Sequence, residues 1–158
     1  MGEWGVDGQE LTALSEDDRF PPIFLGRIAQ RDTVLPYYTG IARVWASVTP
    51  VLLPGYDDRK DHRGDHQKRL VRAEQLAWKA LKHAGIDVPA CIELSRAPYW
   101  TGSLHTKEYN PREKLAHYPR WHIRLTFERP WTGPLAIGAG RHCGFGVFAR
   151  MDDSCLAQ

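Results

Sequence analysis

Residues 121–128 alternate without a fault: Trp121, Ile123, Leu125 and Phe127 are apolar, and His122, Arg124, Thr126 and Glu128 are polar. Successive side chains of a strand point to opposite faces, so this period of two predicts a strand with one packed face and one open face. His122 and Arg124 are expected to share the open face. A strand of this kind must bury its apolar side against another layer, which restricts the chain to a few architectures.

The other elements follow from shorter signals. Ile41 to Leu53 (IARVWASVTPVLL) is rich in β-branched and aromatic residues and predicts a first strand, ended or bulged by Pro50. Beyond the charged run DDRKDHRGDHQKR, Leu70, Ala73, Ala77, Ala80 or Leu81, and Ala84 recur at helical spacing, predicting a helix from about His66 to Ala84 that stops at Gly85. Cys91 to Ser95 reads as a short second strand. Pro98, Gly102 and Pro111 mark a long polar connection carrying Tyr99, Trp100 and Tyr109. Phe145 to Ala149 returns as the last strand. The order β, α, β, β, glycine-rich loop, β is most of the βαββαβ plan. The fold class is therefore α+β: a ferredoxin-like antiparallel sheet backed by helix, with the second helix short or replaced by the loop. Residues 1–40, without a sustained period, read as an irregular arm or linker, residues 41–150 as the domain, and residues 151–158 as a tail.

At 158 residues and 42% apolar, the chain is sized for one core. Its longest apolar runs fall far short of the roughly 20 residues that cross a bilayer, and the amino terminus lacks the basic start and apolar core of a signal peptide. A cytoplasmic protein is expected. Cys91, Cys143 and Cys155 form no CxxC pair, which fits ordinary thiols in a reducing compartment. The formal charge of +2 hides an asymmetry: residues 1–40 carry three basic and seven acidic side chains, residues 96–150 nine basic and three acidic. An anionic partner is to be sought in the basic half.

Within that half, Ile137 to Phe148 reads IGAGRHCGFGVF, with Gly138, Gly140, Gly144 and Gly146 enclosing Arg141 and His142. Glycines at this density admit close approach of a phosphodiester to the main chain, and Arg141 adds a charge-assisted contact. The same spacing also suits a structural turn. It has neither the ending of a P-loop nor the spacing of a dinucleotide site.

The loop resembles the GxGxxxxxGxG form found near the carboxyl end of the RAMP superfamily of CRISPR-associated proteins, here tightened to three residues between Gly140 and Gly144. With Trp45 to Pro50 (WASVTP), Tyr118 to Phe127 (YPRWHIRLTF) and Gly133-Pro134, it looks most like the carboxy-terminal, crRNA-processing half of the fused RAMP subunit of type I-U (I-G) systems. The resemblance covers roughly residues 41–150. It implies binding of CRISPR repeat RNA and crRNA, with the backbone and large subunits of a type I effector complex and a second RAMP module as partners. In processing members it also implies metal-independent cleavage in which the ribose 2′-hydroxyl attacks the adjacent phosphate and leaves a 2′,3′-cyclic phosphate. The alternative is a subunit that holds crRNA or scaffolds the complex without cutting. This chain is much shorter than the fused subunit, so a second ferredoxin-like half is expected from elsewhere. A phosphorylated metabolite in the glycine loop is a third, unrelated reading.

Metal-free cleavage needs a base, an acid and cationic support for the phosphorane, and histidine is best tuned for the proton steps. The candidates are His122 on the expected open face, His117 (with His105) in the long connection, and His142 in the glycine loop. For RNA contact the candidates are Gly138, Gly140, Arg141, Gly144 and Gly146 of the loop, Arg124 and Arg120 of the strand, and Lys107, Arg112 and Lys114 of the connection. Tyr109 and Tyr118 are candidates for stacking on bases, whereas Trp78 and Trp121 read as core. His62 and His66 have the four-residue spacing of a metal pair but no convincing third ligand, so no metal or cofactor is expected.

Overall fold

The computed structural model describes residues 33–55 and 65–151, together with the backbone of three short strands near the amino terminus. The chain divides into two compact units, Met1–Thr33 and Val34–Gln158. In the first, β1 (Glu3–Trp4), β2 (Glu10–Ala13) and β3 (Phe24–Leu25) pair antiparallel in sequence order.

The second unit opens with a short helix, α1 (Leu35–Thr39), and then β4 (Ile41–Ser47) and β5 (Val51–Leu52), interrupted around Pro50 as the sequence predicts. Helix α2 (His66–His83) follows, then β6 (Ala90–Ser95), β7 (Arg120–Thr132) and β8 (Phe148–Met151). β7 pairs with β6 along one edge and with β4 and β5 along the other, and β8 pairs with β4, every pairing antiparallel. The order β6-β7-β4-β8 is the ferredoxin-like arrangement: the first and third strands of the motif are central and the second and fourth lie at the edges.

Helix α2 begins where Asp65 accepts a 3.0 Å hydrogen bond from the Lys68 N–H, satisfying one of the unpaired donors of the first turn. It ends at Gly85, whose φ of 77° lets its N–H and that of Ile86 turn back onto the carbonyls of Lys82 and Leu81. Ala73, Leu76, Ala77 and Leu81 bury one face against Trp45, Trp121, Ile123, Leu125, Phe127 and Phe148 of the sheet. Trp121 is 5% exposed and sits in this core as expected, but Trp78 is 37% exposed. Its position on α2 explains the difference, since it falls between the buried pairs Leu76-Ala77 and Ala80-Leu81 on the turn that faces away. No described helix is long and apolar enough to cross a membrane.

Between β7 and β8 the glycine-rich segment takes the place of a second helix, retaining only a 3₁₀ turn at Arg141–Cys143. It is bound closely to the core. The Ala139 N–H donates to the Leu52 carbonyl at 2.8 Å, the Gly146 N–H to the Pro50 carbonyl at 3.0 Å, and Thr49 Oγ1 donates to the Gly144 carbonyl at 2.9 Å. Gly146 has φ 66° and lies so near the Ile137 carbonyl oxygen that a Cβ would collide with it, whereas Gly144, at φ 79°, faces open space. Gly146→Ala is therefore expected to cost about 2–4 kcal/mol through strain and collision together, and Gly144→Ala only about 1 kcal/mol through its backbone conformation. Urea denaturation of the two variants measures the difference; equal losses would mean that the loop is not packed as described.

Candidate nucleic-acid interface

The connection between β6 and β7, residues 96–119, determines what the sheet exposes. Trp100 Nε1 donates to the Ala46 carbonyl at 3.1 Å, and the Thr106 N–H to the Arg96 carbonyl at 3.2 Å. The Leu53 N–H holds the Pro119 carbonyl at 2.9 Å, and the Arg120 guanidinium donates to the Tyr109 carbonyl at 2.6 Å. The connection is thus laid over part of the sheet rather than extended into solvent.

One consequence corrects the expected open face. His122 does lie on the same side of β7 as Arg124, but it is fully buried, 0% exposed. Its Nδ1 is 3.3 Å from Ser47 Oγ and its Nε2 is 3.0 Å from the Leu104 carbonyl. Ser47 Oγ also accepts the Ile123 N–H at 2.9 Å. A carbonyl can only accept, so Nε2 carries the proton and Nδ1 accepts from the serine hydroxyl. Burial pushes the imidazole below its ordinary value, the Leu104 carbonyl and Ser47 oppose that, and His105 adds to it. A neutral, sealed imidazole cannot meet a scissile phosphate; the alternation of β7 identified its face but not the chain lying over it.

Arg124 is likewise engaged. Register opposes it to Glu93 on β6, and the two form a bidentate pair, Nε to Oε1 at 2.8 Å and Nη2 to Oε2 at 2.5 Å. Its guanidinium also lies 5.5 Å from the Tyr99 ring. The Tyr99 phenol is pushed up to about 12, first by burial and then by Glu93, with Arg124 opposing. Arg124 is thus a cation already neutralised by a partner, not one held ready for a phosphate.

The connection, the end of β7 and the first turn of α2 enclose a groove of about 970 Å³. Arg69, Arg96, Lys107 and Arg120 line it, with Glu113 as the acid among the described lining residues, and His105, His117 and Tyr118 stand in the same wall. His117 and Tyr118 pack ring on ring with centroids 4.1 Å apart. His105 Nδ1 accepts the Lys107 N–H at 3.2 Å, which leaves Nε2 as its outward nitrogen. Arg96 lies 3.7 Å over the Trp121 ring and also bonds the Arg120 carbonyl, so its position is fixed by the core beneath.

The sequence candidates therefore separate. Lys107, Arg120, His105, His117 and Tyr118 come together in the groove; Arg112 and Lys114 are exposed on the 3₁₀ turn at Glu113–Leu115 but do not line it. Tyr109 is half-buried, edge-on to both His122 (6.4 Å) and Phe145 (6.2 Å), and is a packing contact between the connection and the glycine loop. In the loop, a Cβ on Gly138 or Gly140 would run into Leu52, and four N–H groups, those of Ala139, Cys143, Phe145 and Gly146, are spent on protein carbonyls. Arg141 is half-buried and His142 exposed. Arg69 and Arg96 were not singled out from the sequence; Arg69 precedes Ala73 and Leu76 by four and seven residues, so helical phase sets it at the margin of the buried face. His62 and Cys155 lie outside the described residues, and among the described residues no three His, Cys, Asp or Glu side chains gather as metal ligands.

The buried histidine carries a test of its own. Because the folded state disfavours the imidazolium, the unfolded chain takes up the extra proton first as pH falls through about 6.5. The stabilisation from His122 is present at neutral pH and is lost on acidification. Thermal melts from about pH 7.5 to about pH 5.5 should show a falling midpoint. His122→Gln, which keeps an amide donor for Leu104, should be less stable at neutral pH and flatter with pH; a slope parallel to the wild type would remove His122 as the cause.

No curated protein and no solved structure was found to match the chain. The model of a family described as CRISPR-associated protein, GSU0054 family, matches residues 9–150, which takes in the whole sheet apart from the last residue of β8, helix α2, the groove and the glycine loop. A match over most of the chain establishes membership: this protein belongs to the GSU0054 family of CRISPR-associated proteins, and its role lies in CRISPR defence.

Proposed function

We propose that this chain is a RAMP subunit that binds CRISPR repeat RNA in the groove beside α2, cleaves it without a metal, and remains with the crRNA in a type I effector complex. The observation that carries the proposal is the convergence of Arg69, Arg96, Lys107 and Arg120 with His105 and His117 around one groove. The cations supply the field that a phosphodiester requires, and the two imidazoles supply a proton acceptor and a proton donor. Residues 41–150 form the RNA-binding domain in this reading.

The reaction needs three things from the protein. One histidine, His117 in our assignment, removes the proton of the ribose 2′-hydroxyl as its oxygen attacks the adjacent phosphorus. The bond from phosphorus to the 5′-oxygen breaks, and that oxygen leaves with a proton from Nε2 of the second histidine, His105, whose imidazolium forms once Nδ1 releases the Lys107 N–H and takes up a proton. The products are a 2′,3′-cyclic phosphate and a free 5′-hydroxyl. Arg120 and Lys107 offset the charge that accumulates on the phosphorane. His122 has a positioning role, because it holds Leu104 next to His105. His142 and Arg141 belong to the exposed turn of the glycine loop, where Arg141 contributes a phosphate contact outside the groove.

The test is incubation of the purified chain with labelled cognate repeat RNA in EDTA, following gel shift and cleavage together. EDTA-resistant cutting that a 2′-deoxy substitution at the cut site abolishes is expected. His117→Ala should slow it by about 100-fold or more with binding retained. Arg141→Ala should weaken binding several-fold at moderate salt. Binding without cleavage would make the chain a holder of crRNA, and absence of binding to the repeat would overturn the assignment of the groove.

A further inference from the structure

Helix α2 carries a row of cations on its outer surface. Arg69, Arg72, Lys79 and Lys82 are exposed on it, and its one acidic residue, Glu74, lies on the opposite flank. At 100° per residue, Lys82, Lys79, Arg72 and Arg69 follow one another across a single side of the helix, ending at the margin that borders the groove. Lys68, on the same side, is compensated by Asp65 at 3.3 Å, and Arg72 has a 3.4 Å contact with the neutral Gln75.

Ordinary helix stability does not account for the pattern. Lys82 and His83 in the last turn complement the carbonyl end of the helix, but Arg72 and Lys79 lie in mid-helix. Their neighbours at three and four residues are Lys68, Arg69, Gln75, Leu76, Lys82 and His83, none of them acidic. Like charges at these spacings oppose the helix rather than support it. An exposed tryptophan, Trp78, stands one turn from Lys82 on the side toward Glu74, at 37% exposure. A self-repelling row of cations with an aromatic beside it is suited to a polyanion that also offers planar faces.

We infer that this ridge is a second RNA-binding surface, along which the strand held in the groove continues over α2, its phosphates following Arg69, Arg72, Lys79 and Lys82 and one unpaired base stacking on Trp78. The inference rests on the RNA-binding reading of the groove. Continuity supports it, because Arg69 belongs to both: it lines the groove and begins the ridge. A small cleft of about 10 Å³, lined by Arg69, Arg72, Ala73, Leu76, Pro119 and Trp121, shares Arg69 and Pro119 with the groove. With a rise of 1.5 Å per residue, Arg69 and Lys82 are about 20 Å apart along the axis, so the ridge lengthens the footprint by several nucleotides.

The experiment compares the full repeat RNA with a short fragment that spans only the cut site, titrated against the full chain at several salt concentrations. The variant is Arg72→Gln, Lys79→Gln and Lys82→Gln together, at exposed positions where glutamine keeps helix propensity, with its melting curve as the check on folding. For the full repeat, the slope of log affinity against log salt should lose about 2, three contacts at roughly 0.7 each for a single strand. The short fragment should bind the variant as it binds the wild type. Trp78→Ala alone should weaken the full repeat roughly five- to tenfold, with little change in salt slope. An unaltered slope for the full repeat, or equal weakening of both RNAs, would overturn the ridge as a contact surface while leaving the groove intact. If the wild type binds neither RNA, the groove reading itself fails.

Discussion

A histidine removed from water must have both ring nitrogens satisfied within the protein, because each unpaired polar group in a core costs on the order of 1–3 kcal/mol. His122 meets this requirement by joining three separate pieces of chain: Ser47 at the end of β4, its own position on β7, and the Leu104 carbonyl in the long connection. The constraint propagates outward. Fixing Leu104 fixes His105 and the buried Thr106 beside it, and these form one wall of the groove. The same connection is fastened at Trp100, Tyr109 and Pro119, so the groove is bounded by backbone held at several points rather than by a free loop. A sealed imidazole at the centre of the domain thus sets the position of an accessible one at its surface.

The distribution of cations follows from the same packing. Arg124 is neutralised by Glu93 across β6 and β7, and Arg43 donates through Nε to the Phe127 carbonyl at 3.3 Å. These side chains hold strands and connections together, and the charge of Arg124 is compensated by Glu93. Lys107 and Arg120 differ in that their surroundings are a groove containing further arginines and a single carboxylate among its described residues. The basic excess of residues 96–150 is therefore not one patch: part of it is internal cement, part faces the groove, and the groove's remaining charge comes from α2, outside that half of the sequence.

How far such a division can be read from sequence depends on the range of the interaction. The strand at 121–128 and the helix from His66 were legible because period and a glycine stop are local properties: alternation requires a pleat, and Gly85 ends a helical stripe. The ferredoxin-like order was legible because short apolar segments around one amphipathic helix allow few other arrangements. The partner of Arg124 depends on the register between β6 and β7, which no local pattern encodes, and His122 depends on where a polar connection settles after folding. The glycine loop shows the limit differently. Its spacing indicated that backbone had to pass close to something, and the close neighbours of Gly138, Gly140 and Gly146 are Leu52 and Ile137 of the same domain. Density of glycine records close approach without naming the partner.

An antiparallel sheet backed by one helix has a second face, and in many RNA-binding domains bases stack on aromatic residues displayed there. In this chain the connection between β6 and β7 occupies part of that face, with Trp100 bonded to Ala46 and His122 covered at Leu104. The His122 ring is turned to structural use, and Trp121 is committed to the core beneath Arg96. In the RNA-binding reading proposed above, contact with nucleic acid falls at the border of the covered face, where guanidinium and ammonium groups predominate and the exposed His117 ring lies tilted against the half-buried Tyr118. Recognition at such a border rests more on phosphate spacing and strand path than on base edges, since cations at a phosphate fix position without reading sequence. In that reading, selectivity requires a path long enough for its shape to discriminate, which is what a continuation from the groove onto the basic helix would supply.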